Sequence, residues 1–260
     1  MGLMTDDTID RLACTHRPPG RAIGRQSWRD LLFVHWRVPV AEIEPLIPGR
    51  LTLDVYDGSA WIGLVPFAMQ GVRPWWSPPI YGVSSFHETN VRTYVHCEGK
   101  QPGVWFFSLD AASSLAVRIA RWRWALPYFR SDMQLHRENE RIGYSSRRLW
   151  PAPAVAETHV EATIGDLITH SNSQHPDGTA VPGSLEHFLA ERYLLYSQAS
   201  AQQPLYRGQV YHRPYPLRQA ALLQMQESLL TAAGITSHGE PDHVLFSDGV
   251  DVEVFGLEVV

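Results

Sequence analysis

A carboxylate, an amide and a guanidinium alternate along the segment FHETNVRTYV, residues 86–95. In an extended strand every second residue points to the same side, so Glu88, Asn90 and Arg92 share one face, while β-branched residues dominate the other. A carboxylate can transfer protons, and an arginine can bind a substrate carboxylate through paired hydrogen bonds. The polar face is therefore either the wall of a pocket or a solvated face, and Glu88 and Arg92 either form a site or pair with each other.

A second polar group lies at Glu191, Arg192 and Tyr193, together with His212 on the next strand-like segment. The two segments predict a hairpin, which would bring Arg192 and His212 close together as substrate-binding residues. The histidine could act as a general base. The alternative is structural, because a histidine followed by Arg-Pro often caps a loop.

Amine and metal chemistry have little support in this chain. Its only lysine, Lys100, lies in the turn-like segment CEGKQPG, so we expect a solvated surface residue, and arginine does not form Schiff bases. The twelve histidines are scattered without metal-binding spacing, and Cys14 and Cys97 are too few for a disulfide framework. We predict no metal and no cofactor.

Composition limits the class of protein. With 260 residues and 44% hydrophobic content, the chain can form one large domain, which we assign to residues 25–260 after a flexible polar tail at residues 1–24. A net charge of −5 argues against nucleic acid and membrane partners. Because no signal peptide or membrane span is evident, we expect a cytoplasmic protein that binds a small molecule. A homo-oligomer is compatible with the sequence.

Many strands and few helices are predicted along the chain. Alternation and turn signals indicate strands at 28–38, 86–95, 103–110, 140–150, 157–165, 192–198 and 205–216, with hairpins at 51–72 and 243–260. Helical spacing appears at 40–47, after residue 112, from the N-cap Ser184, and most clearly at 216–235. The tryptophan-rich loop 73–82 could form a lid. This pattern favours an α+β, mainly β fold with an antiparallel sheet or barrel.

The order of several segments carries a resemblance to a known family. It rests on LLFVHWRVPVAEIEPLIPGRLTLDVYDGSAWIGLVPFAMQGVRP, FHETNVRTYV, PGVWFFSLDA, ARWRWALPYF, FLAERYLLYS and LYRGQVYHRPYPL. From about residue 26 onward the chain resembles the YqjF-like bacterial proteins of unknown function, which are grouped with the acetoacetate decarboxylase-like superfamily. The resemblance implies a cone-shaped, mainly antiparallel β-barrel decorated by a few helices, with the active cavity at its mouth or interior.

The same resemblance implies roles for site residues and argues against Schiff-base chemistry. Glu88 resembles the glutamate that the decarboxylases direct into their cavity, but their Pro-Lys-Lys motif, whose first lysine forms the Schiff base, is matched here by Pro127-Tyr128-Phe129. We therefore do not expect decarboxylation through an imine. Glu88 and Tyr128 are the catalytic candidates of a lysine-independent lyase or isomerase acting on a small carbonyl or carboxylate compound, with Arg92 and Asn90 binding it. The alternative is a non-catalytic barrel that binds or senses a small molecule.

Overall fold

The computed structural model describes residues 9–151, 156–170, 175–236 and 239–260. Over these residues the chain forms twelve strands, four α-helices and a 3₁₀ turn at Glu44–Leu46. The strands are β1 Gly24–Val38, β2 Thr52–Leu53, β3 Ala60–Pro74, β4 Phe86–Cys97, β5 Lys100–Ala111, β6 Tyr128–Glu138, β7 Arg141–Trp150, β8 Glu157–Leu167, β9 Leu194–Ser197, β10 Tyr206–Tyr211, β11 Leu217–Glu227 and β12 His243–Val259. The helices are α1 Val40–Ile43, α2 Ser114–Trp124, α3 Leu185–Ala190 and α4 Leu229–Ala232.

Nine strands form a closed ring in the order β12, β1, β3, β4, β5, β6, β7, β8, β11 and back to β12. Strands β9 and β10 make a second connection between β5 and β12. Neighbouring strands in the ring are antiparallel except β5 and β6. The predicted fold class, mainly antiparallel β with a few helices, is confirmed.

Helix α2 connects the two parallel strands of the ring. Parallel neighbours require a crossover, and this one runs from β5 through α2 into β6. The helix begins after Ser113, whose hydroxyl accepts a hydrogen bond from the Ala116 amide at 3.3 Å, and it ends at Ala125 in the left-handed conformation. The crossover returns the chain so that Tyr128 lies beside Leu109 of β5, which in turn pairs with Asn90 of β4.

Strand β4 is buried on both faces. Val91 and Val95 pack into the main hydrophobic core, while Glu88, Asn90 and Arg92 on the opposite face are also at least nine-tenths buried. The alternative of a solvated face is therefore wrong, because residues of β9, β10 and helix α2 cover the polar side of β4. Buried polar groups are costly unless they have partners, so this face requires an explanation.

Several predicted elements are confirmed. The segment 28–38 lies within β1, the segment 40–47 forms α1 and the following 3₁₀ turn, and β9 pairs with β10 as the predicted hairpin. The Ser184 hydroxyl accepts a hydrogen bond from the His187 amide at 3.2 Å and so caps α3. These elements follow from local signals, namely alternation, proline and an N-cap.

The predicted helix at 216–235 is wrong. Its first part is β11, which pairs with β8 and β12, and only Leu229–Ala232 forms a helical turn. The backbone groups of β11 bond to two neighbouring strands, and the stripe with helical spacing is replaced by alternating burial along most of β11. Pairing with both neighbours outweighs the helix propensity of this alanine-rich and leucine-rich segment.

The predicted C-terminal hairpin is also wrong, since residues 243–259 form one strand, β12. Its two halves do not pair with each other because both pair with β1, from Gly24 opposite Val254 to His35 opposite His243. The turn signal at Asp248-Gly249 is instead a local irregularity. A Cβ at Gly249, where φ is 126°, would lie 2.0 Å from the Trp28 carbonyl oxygen.

Three other differences concern strand pairing and the N-terminal segment. The turn at Asp57-Gly58 is present, with both φ values positive, but β2 and β3 each pair with β4 instead of with each other. Strand β6 was not predicted. Within the predicted tail, the Arg11 guanidinium bonds to Asp54, with Nε 3.2 Å from Oδ2.

No helix in the described part of the chain is long and apolar enough to span a membrane. Over the same residues, histidine, cysteine and acidic side chains do not gather in groups of three or more that could hold a metal ion.

Candidate active site

A cavity of about 540 Å³ lies on the face of β4 opposite the main core, where it is lined by residues of β1, β3, β4 and β5 and by β9, β10, the start of β6 and helix α2. Its walls are mostly apolar. Five of the six residues that we predicted for the site line it: Glu88, Asn90, Arg92, Tyr128 and Arg192. The volume falls within the range of small-molecule sites, which are typically apolar clefts with a few polar groups.

Glu88 and Tyr128 form a buried hydrogen-bonded pair at the cavity wall. The Tyr128 hydroxyl donates to Glu88 Oε2 at 2.7 Å. Burial raises the pKa of Glu88 to about 8, the hydrogen bond from Tyr128 opposes that rise, and the nearby Asp110 adds to it. At neutral pH the Glu88 carboxyl is therefore mostly protonated. Burial and the Glu88 charge also raise the pKa of Tyr128 well above its usual range.

The register of three strands explains this pairing. Glu88 lies opposite Ala111 of β5, and two residues further along β4, Asn90 lies opposite Leu109, whose other neighbour is Tyr128. Tyr128 is thus two strands away from β4 and points to the same face. Its ring spans β5, and its hydroxyl reaches the carboxyl of Glu88.

Arg92 lies further along the same face, and it is not paired with Glu88. Among the described residues, no carboxylate oxygen lies within the 4.0 Å that would make an ion pair with its guanidinium. Its Nη2 donates to the Leu189 carbonyl oxygen at 2.9 Å, and its Nε is buried without a hydrogen-bond partner. The guanidinium also contacts the Phe33 and Tyr94 rings, with centroids 5.6 and 5.7 Å away. The alternative of a satisfied Glu88–Arg92 pair in the wall is therefore wrong.

Arg192 is held more firmly than Arg92. Its Nη1 bonds to Asp54 Oδ2 at 2.6 Å and its Nε donates to the Phe188 carbonyl oxygen at 2.8 Å, but its Nη2 is buried without a partner. Burial lowers the pKa of Arg192 and Asp54 opposes this change. Asp54 was not predicted, and a single aspartate before a turn carries no signal that would identify it.

Asn90, between Glu88 and Arg92 on this face, also has an unused polar atom. Its side-chain oxygen, Oδ1, is buried without a hydrogen-bond partner, although the residue is only 5% exposed. Buried amide oxygens are rarely left in this state. The Asn90 amide oxygen is therefore an unused acceptor in the cavity wall.

His212 does not line the cavity, although its ring contacts the cavity-lining Tyr215 and its Nε2 is buried without a hydrogen-bond partner, so its role in binding substrate stays a prediction. Its ring stacks on Tyr193 with centroids 4.5 Å apart, and its Nδ1 lies 2.7 Å from the Arg213 carbonyl oxygen. Burial lowers its pKa to about 4. The structural alternative, a histidine bonded to a loop carbonyl beside proline, describes its position.

Two further buried groups surround the site. Glu191 accepts hydrogen bonds from the Tyr193 hydroxyl at 2.6 Å and the Tyr215 amide at 2.9 Å, and burial raises its pKa to about 7. Asp110 accepts two hydrogen bonds from Arg148, at 2.9 and 2.7 Å, and a third from the Ser131 hydroxyl at 2.7 Å. Neither Glu191 nor Asp110 lines the cavity.

The arrangement combines one proton-transfer pair with a cationic end in an apolar cavity. It lacks an amine, because Lys100, the only lysine of the chain, is exposed at the start of β5. Glu88 can donate or accept a proton, and Arg92 can bind an anionic oxygen. A Schiff base between a lysine and a ligand in this cavity is excluded.

The sequence model of the DUF2071 family, described as an uncharacterized conserved protein, matches residues 25–251. The chain is also 38% identical over 219 residues to the uncharacterized protein YqjF of Bacillus subtilis (strain 168), covering 84% of this chain and 85% of that protein. This agreement confirms the resemblance to YqjF-like proteins.

Solved structures with the same fold have low sequence identity to this chain. The acetoacetate decarboxylase of Legionella pneumophila subsp. pneumophila superposes with a TM-score of 0.61 at 11% identity, over 92% of this chain and 88% of that one. The enduracididine biosynthesis enzyme MppR complexed with pyruvate gives a TM-score of 0.61 at 12% identity, over 95% of this chain and 92% of that one. At such identities the likeness establishes the fold alone.

Proposed function

The chain belongs to the DUF2071 family, and we propose that it is a lyase or isomerase that acts on a small carbonyl or carboxylate compound without a Schiff-base lysine. The observation that carries the proposal is the Glu88–Tyr128 pair, which is buried in the wall of an otherwise apolar cavity. Strongly perturbed carboxyl groups in cavities are frequent in active sites.

Glu88 has the properties of a general acid and base. Its Oε2 accepts a hydrogen bond from the Tyr128 hydroxyl. In this proposal a ligand would contact the other carboxyl oxygen, Oε1. With a pKa of about 8, the carboxyl can donate a proton to a carbonyl or leaving hydroxyl oxygen, and after ionisation it can remove one from carbon. Enolisation, dehydration, isomerisation and cyclisation of a carbonyl compound all require such steps.

The remaining polar groups would position the substrate. Arg92 would bind its carboxylate or enolate oxygen, and the Tyr128 hydroxyl, which donates its proton to Glu88, would stabilise the Glu88 carboxylate that forms when the proton is transferred. The resemblance to the decarboxylases assigns Tyr128 to the place of their imine-forming lysine. A hydroxyl cannot form an imine, so in this proposal the reaction depends on proton transfer alone.

The first experiment measures proton exchange directly, so that no product has to be known. Pyruvate, 2-oxobutanoate and acetoacetate are incubated with the protein in D₂O, and loss of the proton signals next to the carbonyl is followed by NMR. MppR, a neighbour in fold, is complexed with pyruvate, which motivates the choice of 2-oxo acids. We expect the protein to accelerate exchange in at least one of them, and Glu88→Gln to slow it by at least about 100-fold.

Glu191→Gln is the matched control, because Glu191 is also a buried carboxyl that bonds to a tyrosine but lies outside the cavity. It should retain exchange activity. If the acids bind to the wild type and none exchanges, the alternative of a non-catalytic binding barrel is favoured. Borohydride with acetoacetate should leave the protein mass unchanged, and a covalent adduct would contradict the proposed role of Tyr128.

A further inference from the structure

The two ends of the cavity differ in polarity and in depth. On β4 the cavity is lined by Phe86, Glu88, Asn90 and Arg92 but not by Tyr94, which is fully buried behind Arg92. Six residues of strand separate Phe86 from Arg92, which corresponds to about 20 Å. Arg92 therefore lies at the closed end, and Phe86 lies towards the loop that follows β3.

The closed end has more positive than negative charge. The Arg92 and Arg192 guanidinium groups both lie against the Tyr94 ring, 5.7 and 4.9 Å from its centroid. Asp54 is bonded to Arg192 and Arg11, while Arg92 has no ion-pair partner among the described residues. A buried guanidinium without an anion is costly, so this end is suited to an anionic group.

Unused hydrogen-bonding atoms indicate the chemical class of that group. Arg92 Nε and Arg192 Nη2 are buried donors without a partner, in residues that are more than nine-tenths buried and line the cavity. Two such donors match the two oxygens of a carboxylate. The Asn90 Oδ1 atom, also unpartnered, would accept a donor from the same ligand.

The open end is apolar and exposed. Five cavity-lining residues there are 40 to 58% exposed, and together they form the apolar rim: Ile23, Ile80, Val83, Leu115 and Ile119. Two come from helix α2 and two from the loop after β3. The rim residues and the residues of the closed end line the same cavity, so a long ligand bound at the closed end would reach the rim.

We propose that the ligand is an amphipathic acid whose carboxylate binds between Arg92 and Arg192 and whose hydrocarbon body extends past Glu88 to the apolar rim. This inference rests on the same cavity as the proposed function and adds the substrate class. It requires no chemistry at Glu88, because it concerns binding alone.

The test is the affinity of the full chain for straight-chain acids, namely acetate, butanoate, hexanoate and octanoate, by titration calorimetry. We expect affinity to rise about fourfold with each methylene group that enters the apolar part of the cavity. Octanol, which lacks the anion, should bind at least about tenfold more weakly than octanoate. Equal affinities for butanoate and octanoate, or for octanoate and octanol, would overturn the proposal.

Variants at the two ends of the cavity separate the contribution of the arginines to binding from that of the apolar rim. Arg92→Gln should weaken binding of all the acids by a similar factor, whereas Ile119→Ser should weaken octanoate binding and leave butanoate binding unchanged. Trp122→Ser is the matched control, because Trp122 is an exposed apolar residue of the same helix that does not line the cavity. If Ile119→Ser and Trp122→Ser have the same effect, the hydrocarbon body does not reach the rim.

The outcome is independent of the proposed reaction. Glu88→Gln should keep the dependence of affinity on chain length even where it abolishes proton exchange. Chain-length dependence without exchange would contradict the proposed function alone. Exchange without chain-length dependence would contradict only the amphipathic ligand.

Discussion

Two buried carboxyl groups in this protein have the same kind of partner and different surroundings. Glu88 accepts a hydrogen bond from Tyr128, and Glu191 accepts one from Tyr193. Burial raises the pKa of both, to about 8 and about 7. Only Glu88 lines the cavity, whereas Glu191 also bonds to the Tyr215 amide and has a structural role.

Removing the Tyr128 hydroxyl should raise the pKa of Glu88 further. The hydrogen bond favours the ionised carboxylate, so Tyr128→Phe should move the Glu88 pKa above about 8. The measurement is the pH dependence of the carboxyl stretching band of Glu88, assigned by its loss in Glu88→Gln.

Tyr193→Phe is the matched control, since it removes the same hydroxyl from Glu191. We expect this variant to raise the Glu191 pKa above about 7 and to leave the pH dependence of ligand binding in the cavity unchanged. A shift in ligand binding with Tyr193→Phe as large as that with Tyr128→Phe would contradict the separate roles of the two carboxyl groups.

At the scale of elements, β11 shows how pairing decides the conformation of an ambiguous segment. Leu217–Glu227 has alanine, leucine and glutamine content typical of a helix, yet it lies between β8 and β12. The backbone hydrogen bonds of a strand in this place connect distant parts of the chain. A helix would leave the edges of β8 and β12 unpaired.

Ala221→Thr should stabilise the protein, by about 0.5 kcal/mol, because a β-branched residue suits an exposed strand position. Ala221 is exposed and lies opposite Thr163 of β8. Chemical denaturation would measure the free energy of unfolding. Ala232→Thr, in the short helix α4, is the control and should destabilise by about 0.5 kcal/mol. Destabilisation by both variants would indicate a helix at residue 221.

At the scale of the whole molecule, buried titratable groups determine how stability depends on pH. Glu88 and Glu191 bind protons more tightly in the folded state than in the unfolded state, whereas burial lowers the pKa of His35, His187 and His212. The carboxyl contribution is complete below pH 4.5 and is lost as the pH rises through about 7 and about 8. The histidine contribution is present above pH 6.5 and is lost on acidification.

The free energy of unfolding should therefore decrease between pH 7.5 and 8.5, where the histidines are almost entirely neutral in both states and Glu88 is still partly protonated in the folded state. Glu88 contributes a decrease of up to about 1.4 kcal/mol per pH unit while it stays protonated only in the folded state, and Glu191, whose pKa is lower, contributes less in this range. Denaturant unfolding at pH 7.5, 8 and 8.5 measures this slope. Glu88→Gln should reduce the slope, and an unchanged slope would show that Glu88 is ionised in the folded protein at neutral pH.

Much of the fold followed from local patterns. Alternation identified β1, β4, β5, β7 and β8, an N-cap identified the start of α3, and the order of segments identified the family. The same patterns misassigned residues 216–235 and 243–260. The spacing of apolar residues describes one segment and carries no information about which strands pair with it. Strand partners are often far apart in sequence.

The sequence by itself determined which side chains share a face and which chemistry is absent. Alternation placed Glu88, Asn90 and Arg92 together, and a single lysine in a turn-like segment argued against an amine in the site. Only the tertiary structure decided that this face is buried, that Tyr128 bonds to Glu88, and that Arg92 has no acidic partner among the described residues. The physical reason is that each of these contacts depends on the register of neighbouring strands and on the packing of β9, β10 and α2 against this face, which join residues distant along the chain.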